Sequence, residues 1–390
     1  MNGGTALGEH GDTVLLTGGT GFVGMEILAR YLERGDRTVC ALVRAADDGA
    51  AAERLRSTIA SLFGDPEAHS ERAFAVAADI ERPGLGLDAH RREQLAERVG
   101  EIVHSAASVS FSLPIDASRA INVGGTQRVL ELAELAQRRG GLRRFSYIST
   151  AYVAGTHAGE FREDQLDVGQ RFRNPYEQSK FEAEKLVRAH QQRFPIDVFR
   201  PSIVVGERST GWTASFNVLY SPLKAFVRGM LPAIPARRSS PVDVVPVDYV
   251  ADAVVELTSD QTTGGHTYHL VAGPQATTVG RLIELSSAHV GRREPVVIPP
   301  GLFAKVAYPL LTRASAKLRR GLERSKVFFP YFSMDVRYSN RQARRRLEPA
   351  GIEVPPIEAY FDRLLDYAAR AGWGRVPVTR AEAQRHADRE

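Results

Sequence analysis

Val14-Leu15-Leu16-Thr17-Gly18-Gly19-Thr20-Gly21-Phe22-Val23-Gly24 stands near the start of this 390-residue chain and decides its architecture. The apolar run reads as a strand. Phe22 to Glu33 then has helical periodicity and stops at Gly35. Between them, Gly18 and Gly21 permit a tight turn with close backbone approach, and Gly24 lets the helix pack against the sheet. The N–H groups freed at that helix start form an anion site suited to a dinucleotide pyrophosphate. Thr17, Gly18, Thr20, Gly21, Phe22, Val23 and Gly24 are therefore the expected cofactor loop.

The pattern repeats outward from there. Val39 to Val43, Phe74 to Val76, Ile102-Val103, Tyr147-Ile148 and Val198-Phe199 are strand-like, and Thr126 to Gln137 and Glu177 to Arg193 have helical periodicity. This alternation predicts an α/β chain, a Rossmann-type doubly wound parallel sheet with helices on both faces. After Gly206 the texture turns to Gly, Pro, Ser and aromatic residues, which predicts loops and short helices around a substrate pocket. A strand over Val242 to Val247 is expected to bring the chain back to the sheet, followed by a helix over Tyr249 to Leu257. Residues 350–372 read as a closing amphipathic helix after Pro355-Pro356. The expected divisions are a flexible N-terminus (1–11), an NAD(P)-binding core (12–206), a smaller C-terminal substrate-binding portion (207–375, with 241–260 returning to the core) and a polar tail (376–390).

A hydrophobic content of 43% with 25% charged residues gives the chain enough apolar surface for a large core and argues against disorder. No basic segment followed by an apolar run marks a secretory signal, so a cytoplasmic location is expected. The most apolar run, Val296 to Leu311, is interrupted by Pro299, Pro300, Lys305 and Pro309, so no transmembrane segment is expected. The single Cys40 excludes an internal disulfide framework, and the ten histidines show no metal-ligand spacing. His266 and His269 read as strand or turn residues, and no metal is expected. Gly-x-Ser-x-Gly is absent, which leaves a serine hydrolase unsupported. The net charge of +5 is concentrated: residues 301–346 hold twelve Lys/Arg against Glu323 and Asp335. Such a face suits CoA phosphates, an acidic carrier protein or a membrane surface, or reads as a solvated helix face. Nucleic acid is not expected, because no recognition fold or aromatic stacking pattern accompanies it.

Two further groups of residues bear on chemistry. Twenty residues after Gly24 the second strand ends in Arg44, where an acidic residue would suit the ribose hydroxyls of NAD; arginine suits a 2′-phosphate, so NADPH is expected over NADH. Arg54 reads equally as a second phosphate contact or a solvated helical arginine. Asp79-Ile80 follows a strand and is placed to face the adenine, and the small residues Ser105, Ala106 and Ala107 let the cofactor lie close. The second group is Tyr176 and Lys180, four apart at a helix start and so on one face. A neighbouring ammonium favours the phenolate, making Lys180 the tuning group and a partner for the nicotinamide ribose. Thr150, at the end of the preceding strand, is the candidate to hydrogen-bond a substrate oxygen, with Ser149 as its competitor. Asn122 anchors a helix backbone near the lysine or caps a helix.

Together these residues resemble the extended short-chain dehydrogenase/reductases: the Thr17 to Gly24 loop, Asp79, Ala106-Ala107, Asn122, Thr150 and the Tyr176/Lys180 pair. Within that superfamily the chain is most similar to thioester reductases, the group with the reductase domains of carboxylic acid reductases and nonribosomal peptide synthetases and the fatty acyl-CoA reductases. Leu42-Val43-Arg44-Ala45, Ser149-Thr150-Ala151-Tyr152, Arg200-Pro201-Ser202 with Gly206, Ser209-x-Gly211 and Asp243 to Asp248 carry that likeness, over roughly residues 12–260. Ser105 and Ala78 depart mildly from the pattern, and no attached adenylation or carrier domain is expected. The resemblance implies cofactor contacts from Pro201, Ser202 and Ile203. It also implies reduction of an acyl-CoA or acyl-carrier-protein thioester to aldehyde, or on to alcohol, with Thr150, Tyr176 and Lys180 as the reacting site. The competing expectations are a nucleotide-sugar epimerase or dehydratase, a hydroxysteroid-type dehydrogenase and, most remotely, a non-catalytic dinucleotide-binding regulator. Oligomeric state has no signature in the sequence.

Overall fold

The computed structural model describes residues 11–216, 218–259, 264–314, 319–320, 322–323 and 326–389. The expected flexible segment lies outside these residues except for Gly11, as do Lys317 and Arg324 of the basic stretch.

Seven parallel strands form the central sheet: β1 (Thr13–Thr17), β2 (Val39–Val43), β3 (Ala73–Ala77), β4 (Val99–His104), β5 (Arg144–Ile148), β6 (Ile196–Pro201) and β7 (Thr267–Leu270). Their spatial order is β7-β6-β5-β4-β1-β2-β3. The order reverses beside β1, which lies between β2 and β4, and this is the crevice where ligands meet such sheets. Both faces are covered, as a parallel sheet requires. Val14 and Leu16 point into the core under α1 (Phe22–Arg34) and α2 (Asp48–Phe63). Leu15 points into the opposite core, under α3 (Ala89–Arg98), α4 (Ile115–Arg139) and α5 (Pro175–Arg188). All three are fully buried, and burial of an aliphatic side chain contributes about 1.5–3 kcal/mol.

The rest of the chain forms a smaller layer over the C-terminal edge of the sheet. It is built from α6 (Tyr220–Val227), α7 (Val247–Ser259), α8 (Val279–Val290) and short strands. Helix α7 packs against α1, so residues 247–259 belong to the main core. The strand expected over Val242 to Val247 differs from the structure. Pro241–Val242 pairs antiparallel with Thr277–Thr278, whereas Val244–Pro246 pairs in parallel with Ile203–Val205 in a separate two-stranded sheet. The return to the central sheet comes later, through β7 beside β6. His269 lies within β7, and the His266 N–H is held by the Asp197 carboxylate, as expected of strand and turn residues.

Two terminal features also differ from expectation. The closing helix is confined to Phe361–Arg370, because Pro355, Pro356 and a 3₁₀ turn at Ile357–Ala359 occupy the approach. Phe361, Leu364, Leu365 and Ala368 form its buried stripe. The expected polar tail instead contains a capped helix, Arg380–Ala387, with a reciprocal Thr379/Glu382 capping box. Arg380 is only 4% exposed and meets Glu26 at 3.1 Å, Glu33 at 3.1 Å and Glu207 at 2.5 Å. Polar composition concealed a buried ion cluster there.

Candidate active site

The β1–α1 turn is shaped by its glycines. Gly18 has φ +74°, and a Cβ there would lie 2.7 Å from the Ala106 nitrogen; one at Gly24 would lie 2.1 Å from the Gly18 carbonyl oxygen. Both contacts are impossible, so only glycine keeps the loop pressed against the Ser105-Ala106-Ala107 segment that follows β4. The turn closes with a Gly21 N–H to Gly18 carbonyl bond of 2.8 Å. Gly21 brings no capping side chain to α1, so the first-turn N–H groups beside Thr20, Phe22 and Val23 lack a side-chain cap. This cradle fits a dinucleotide pyrophosphate. Thr17 is spent internally: its hydroxyl accepts from the Ala106 N–H at 3.1 Å and pairs with His104 Nδ1 at 2.7 Å. His104 in turn meets the Thr126 hydroxyl at 3.0 Å. Burial lowers His104 to about 3, with Lys180 acting in the same direction, so it is a neutral structural imidazole.

Arg44 follows β2, with its side chain 73% exposed and 3.2 Å from Glu81. Arg54, on α2, donates to the Arg44 carbonyl and so supports that turn from below. Asp79 accepts from the Glu81 N–H at 2.9 Å, and Ile80 fills the space over Gly125. Thus Arg44, Arg54, Asp79 and Ile80 converge on the same side of the β2 and β3 ends. Pro201 ends β6, Ser202 is buried after it, and Ile203 starts the small parallel pair.

Thr150 and Tyr176 come together at the junction of β5 and α5. The Thr150 hydroxyl caps the turn that follows β5, accepting from the Tyr152 N–H at 3.2 Å and donating to the Pro201 carbonyl at 3.5 Å, beside the Tyr176 phenol. Burial pushes the Tyr176 phenol up to about 12; the neighbouring Thr150 hydroxyl opposes this and Glu177 reinforces it. Lys180 is buried on the face of α5 that meets β5, where it donates to the Tyr147 hydroxyl at 2.7 Å and the Ile148 carbonyl at 2.9 Å. Its ammonium lies 4.2 Å from the centre of the Tyr147 ring. Burial lowers Lys180 to about 7, partly offset by Glu184. The expectation that Lys180 tunes Tyr176 directly needs correction in this respect: strand alternation turns Tyr147 toward α5, and that phenol accepts the lysine's hydrogen bond.

Ser149 is removed from the competition. Its hydroxyl donates to Glu184 at 2.7 Å, and Glu184 is held by Arg200 at 2.6 Å, with both carboxylate and guanidinium fully buried. Asn122 lies inside α4 and is no cap. Its amide donates to the Ser108 carbonyl at 3.1 Å and to the Ser179 hydroxyl at 2.9 Å, and its oxygen accepts from the Ser108 N–H at 2.8 Å. It therefore ties the loop after β4 to the helix that carries Tyr176 and Lys180.

Sequence reasoning missed an aromatic partition beside Tyr176. Phe111 stacks on Tyr176 and on Tyr331, each at 5.5 Å between ring centres, and Tyr331 meets Tyr152 edge-on at 5.2 Å. The Tyr331 hydroxyl donates to Glu177 at 2.6 Å and accepts from Asn174, the N-cap of α5, at 2.5 Å. Beyond this partition lies a cavity of about 980 Å³, counting its mouth, between α6, α8 and the segment Lys326–Ser333. Among the described residues no group of His, Cys, Asp and Glu is arranged to hold a metal ion, and no helix is long and apolar enough to cross a membrane.

Residues 16–254 match the model of an NAD-binding family described as male sterility protein. The chain is 29% identical to a linear gramicidin synthase of Brevibacillus parabrevis over 93% of its own length and 7% of that protein. It is 34% identical to a carboxylic acid reductase of Mycobacterium marinum over 66% of its length and 24% of that enzyme. The chain thus spans about a quarter or less of these curated relatives. In three dimensions it is similar to the terminal R domain of the myxalamid PKS-NRPS biosynthetic pathway, with a TM-score of 0.81, 27% identity and 97% of each chain covered.

Proposed function

The chain belongs to the male sterility protein family of NAD(P)-binding reductases, and on that premise we propose that it is an NADPH-dependent reductase of acyl thioesters. The observation that carries this reading is the junction of β5 and α5. There the Thr150 hydroxyl and the Tyr176 phenol stand side by side near a buried Lys180, at the sheet edge that also holds the glycine cradle.

NADPH held in the glycine cradle would supply hydride to the thioester carbonyl carbon. The Thr150 and Tyr176 hydroxyls face the carbonyl oxygen as donors and stabilise the negative charge that develops there. A phenol kept protonated by burial is suited to this task, because it donates a proton where an anion would repel the oxyanion. Collapse of the tetrahedral adduct breaks the carbon–sulfur bond, and the thiolate leaves and takes up a proton, giving aldehyde and free thiol. A second hydride to the aldehyde carbon, with a proton to its oxygen, would give the alcohol. Lys180 orients α5 against β5 through Tyr147 and Ile148 and would hold the nicotinamide ribose. Arg44, exposed and backed by Arg54, is assigned to the 2′-phosphate. The remaining cofactor contacts are Asp79 and Ile80 on the adenine side and Ser105 to Ala107, Pro201, Ser202 and Ile203 along the cleft.

In this reading residues 12–206 hold the cofactor and residues 207–375 the acyl group. The thioester arrives on CoA or on an acyl carrier protein; Arg337, Arg341 and Arg344, which border a surface groove next to Tyr338, suit the phosphates or acidic surface of either. Purified protein supplied with NADPH and an acyl thioester is expected to release one thiol per aldehyde formed, and Tyr176→Phe is expected to abolish that release. Inert thioesters alongside turnover of nucleotide sugars or sterols would refute the proposal.

A further inference from the structure

The cavity beyond the aromatic partition points to the nature of the acyl group. Its near end is formed by Tyr152 and Tyr331, and Tyr152 lies two residues after Thr150, so an acyl chain whose carbonyl rests at Thr150 and Tyr176 enters here. Its walls come from three elements whose apolar stripes converge: Leu223 and Phe226 on α6, Leu282 and Ile283 on α8, and Phe328 and Phe332 on the segment Lys326–Ser333.

The polar groups of the wall are already engaged or neutral. Both Asp243 oxygens accept backbone N–H groups, from Ala272 and Gly273, at 2.8 Å. The Ser286 hydroxyl donates to the Leu282 carbonyl, and Tyr331 is held by Glu177 and Asn174. Burial pushes the Tyr152 and Tyr338 phenols well above their ordinary range, so they carry no charge. An aminoacyl ammonium would find no free carboxylate here, since Asp243 is already engaged, at a cost that an alkyl chain does not meet.

We propose that this cavity is the subsite for an uncharged aliphatic acyl chain, which makes the preferred substrate an alkyl-chain acyl thioester and not an aminoacyl one. This rests on the thioester-reductase reading and narrows it. An apolar wall of this kind sets the expected magnitude: each buried methylene adds about fourfold to kcat/KM until the cavity is filled.

The experiment uses the full chain with NADPH and a series of acetyl-, butyryl-, hexanoyl- and octanoyl-pantetheine, with glycyl-pantetheine as the polar comparison. Rising kcat/KM from acetyl to octanoyl, with glycyl the poorest, is expected. Ile283→Trp, which fills the cavity from α8, is expected to lower the octanoyl-to-butyryl ratio at least tenfold, with NADPH fluorescence quenching reporting that the fold persists. If that variant does not fold, the wild-type series decides alone. A flat or falling series, or glycyl-pantetheine as the best substrate, would overturn the aliphatic assignment and leave the thioester reading standing. No turnover with any thioester despite NADPH binding would overturn both.

Discussion

Lys180 shows how much chemistry rests on one side chain. Burial lowers it to about 7, whereas the unfolded chain keeps an ordinary lysine near 10.5. Between those values the unfolded state binds the extra proton, so this group makes stability rise with pH from about 7 to 10.5. Thermal melts across that window are expected to show the rise in the wild type and its loss in Lys180→Met. Tyr176→Phe removes the phenolic donor, and kcat is expected to fall about 10²–10⁴-fold while NADPH still binds; turnover within a few-fold of wild type would take Tyr176 out of the chemistry. Arg44→Ala is expected to raise the Kd of NADPH at least about tenfold and to leave that of NADH nearly unchanged, by fluorescence titration. That Thr150 stands at a strand end and that Tyr176 and Lys180 share one helix was legible in the sequence from strand-end and i,i+4 rules. Phe111, Tyr147 and Tyr331 were not. Phe111 lies in an irregular loop, Tyr331 reaches Glu177 across 154 residues, and Tyr147 read simply as part of a strand. The alternation of side chains along β5 was the one signal that pointed Tyr147 toward the lysine.

At the scale of elements, the six strands marked by short apolar runs and the first helix could be read directly, because all but the edge strand β3 are buried on both faces and their composition carries that information. The seventh strand was misplaced. Val244–Pro246 is as buried as any sheet strand, but which strand it pairs with depends on register set by Ile203–Val205, and apolar composition is blind to that. The β1–α1 turn is the element most constrained by sequence. A Cβ at Gly24 collides with the Gly18 carbonyl, so Gly24→Ala must push α1 away from the cradle. Loss of at least about 1–3 kcal/mol of stability in urea melts is expected, together with loss of dinucleotide binding; wild-type NADPH affinity in this variant would mean that the loop does not hold the pyrophosphate.

The whole molecule is closed by its end. Arg380, on the last helix, meets carboxylates from α1 and from Glu207 just beyond the small parallel strands, so residues far apart in sequence share one buried ion cluster. Burial raises Glu26 to about 8, and Arg380 is the main opposing influence. Removing one partner of such a cluster costs about 3–5 kcal/mol. Arg380→Met is expected to destabilise by that order, and more at pH 8 than at pH 5, because at the lower pH the stranded carboxylates take up protons. A pH-independent loss would show that Arg380 acts by packing alone. Polar composition gave no hint of this docking, since an arginine that ends in a buried cluster looks in sequence like any solvated one. With that clasp in place, the C-terminal layer holds the aromatic partition over the β5–α5 junction, where the reaction is assigned. The most direct test of that assignment follows the hydrogen. The protein is given NADPH deuterated at the transferable position of its nicotinamide C4, together with octanoyl-pantetheine, and the product is analysed by mass spectrometry. One deuterium on C1 of octanal, with one free thiol released, is the predicted result; NADPH consumed with the thioester intact and no deuterium on the acyl carbon would contradict it.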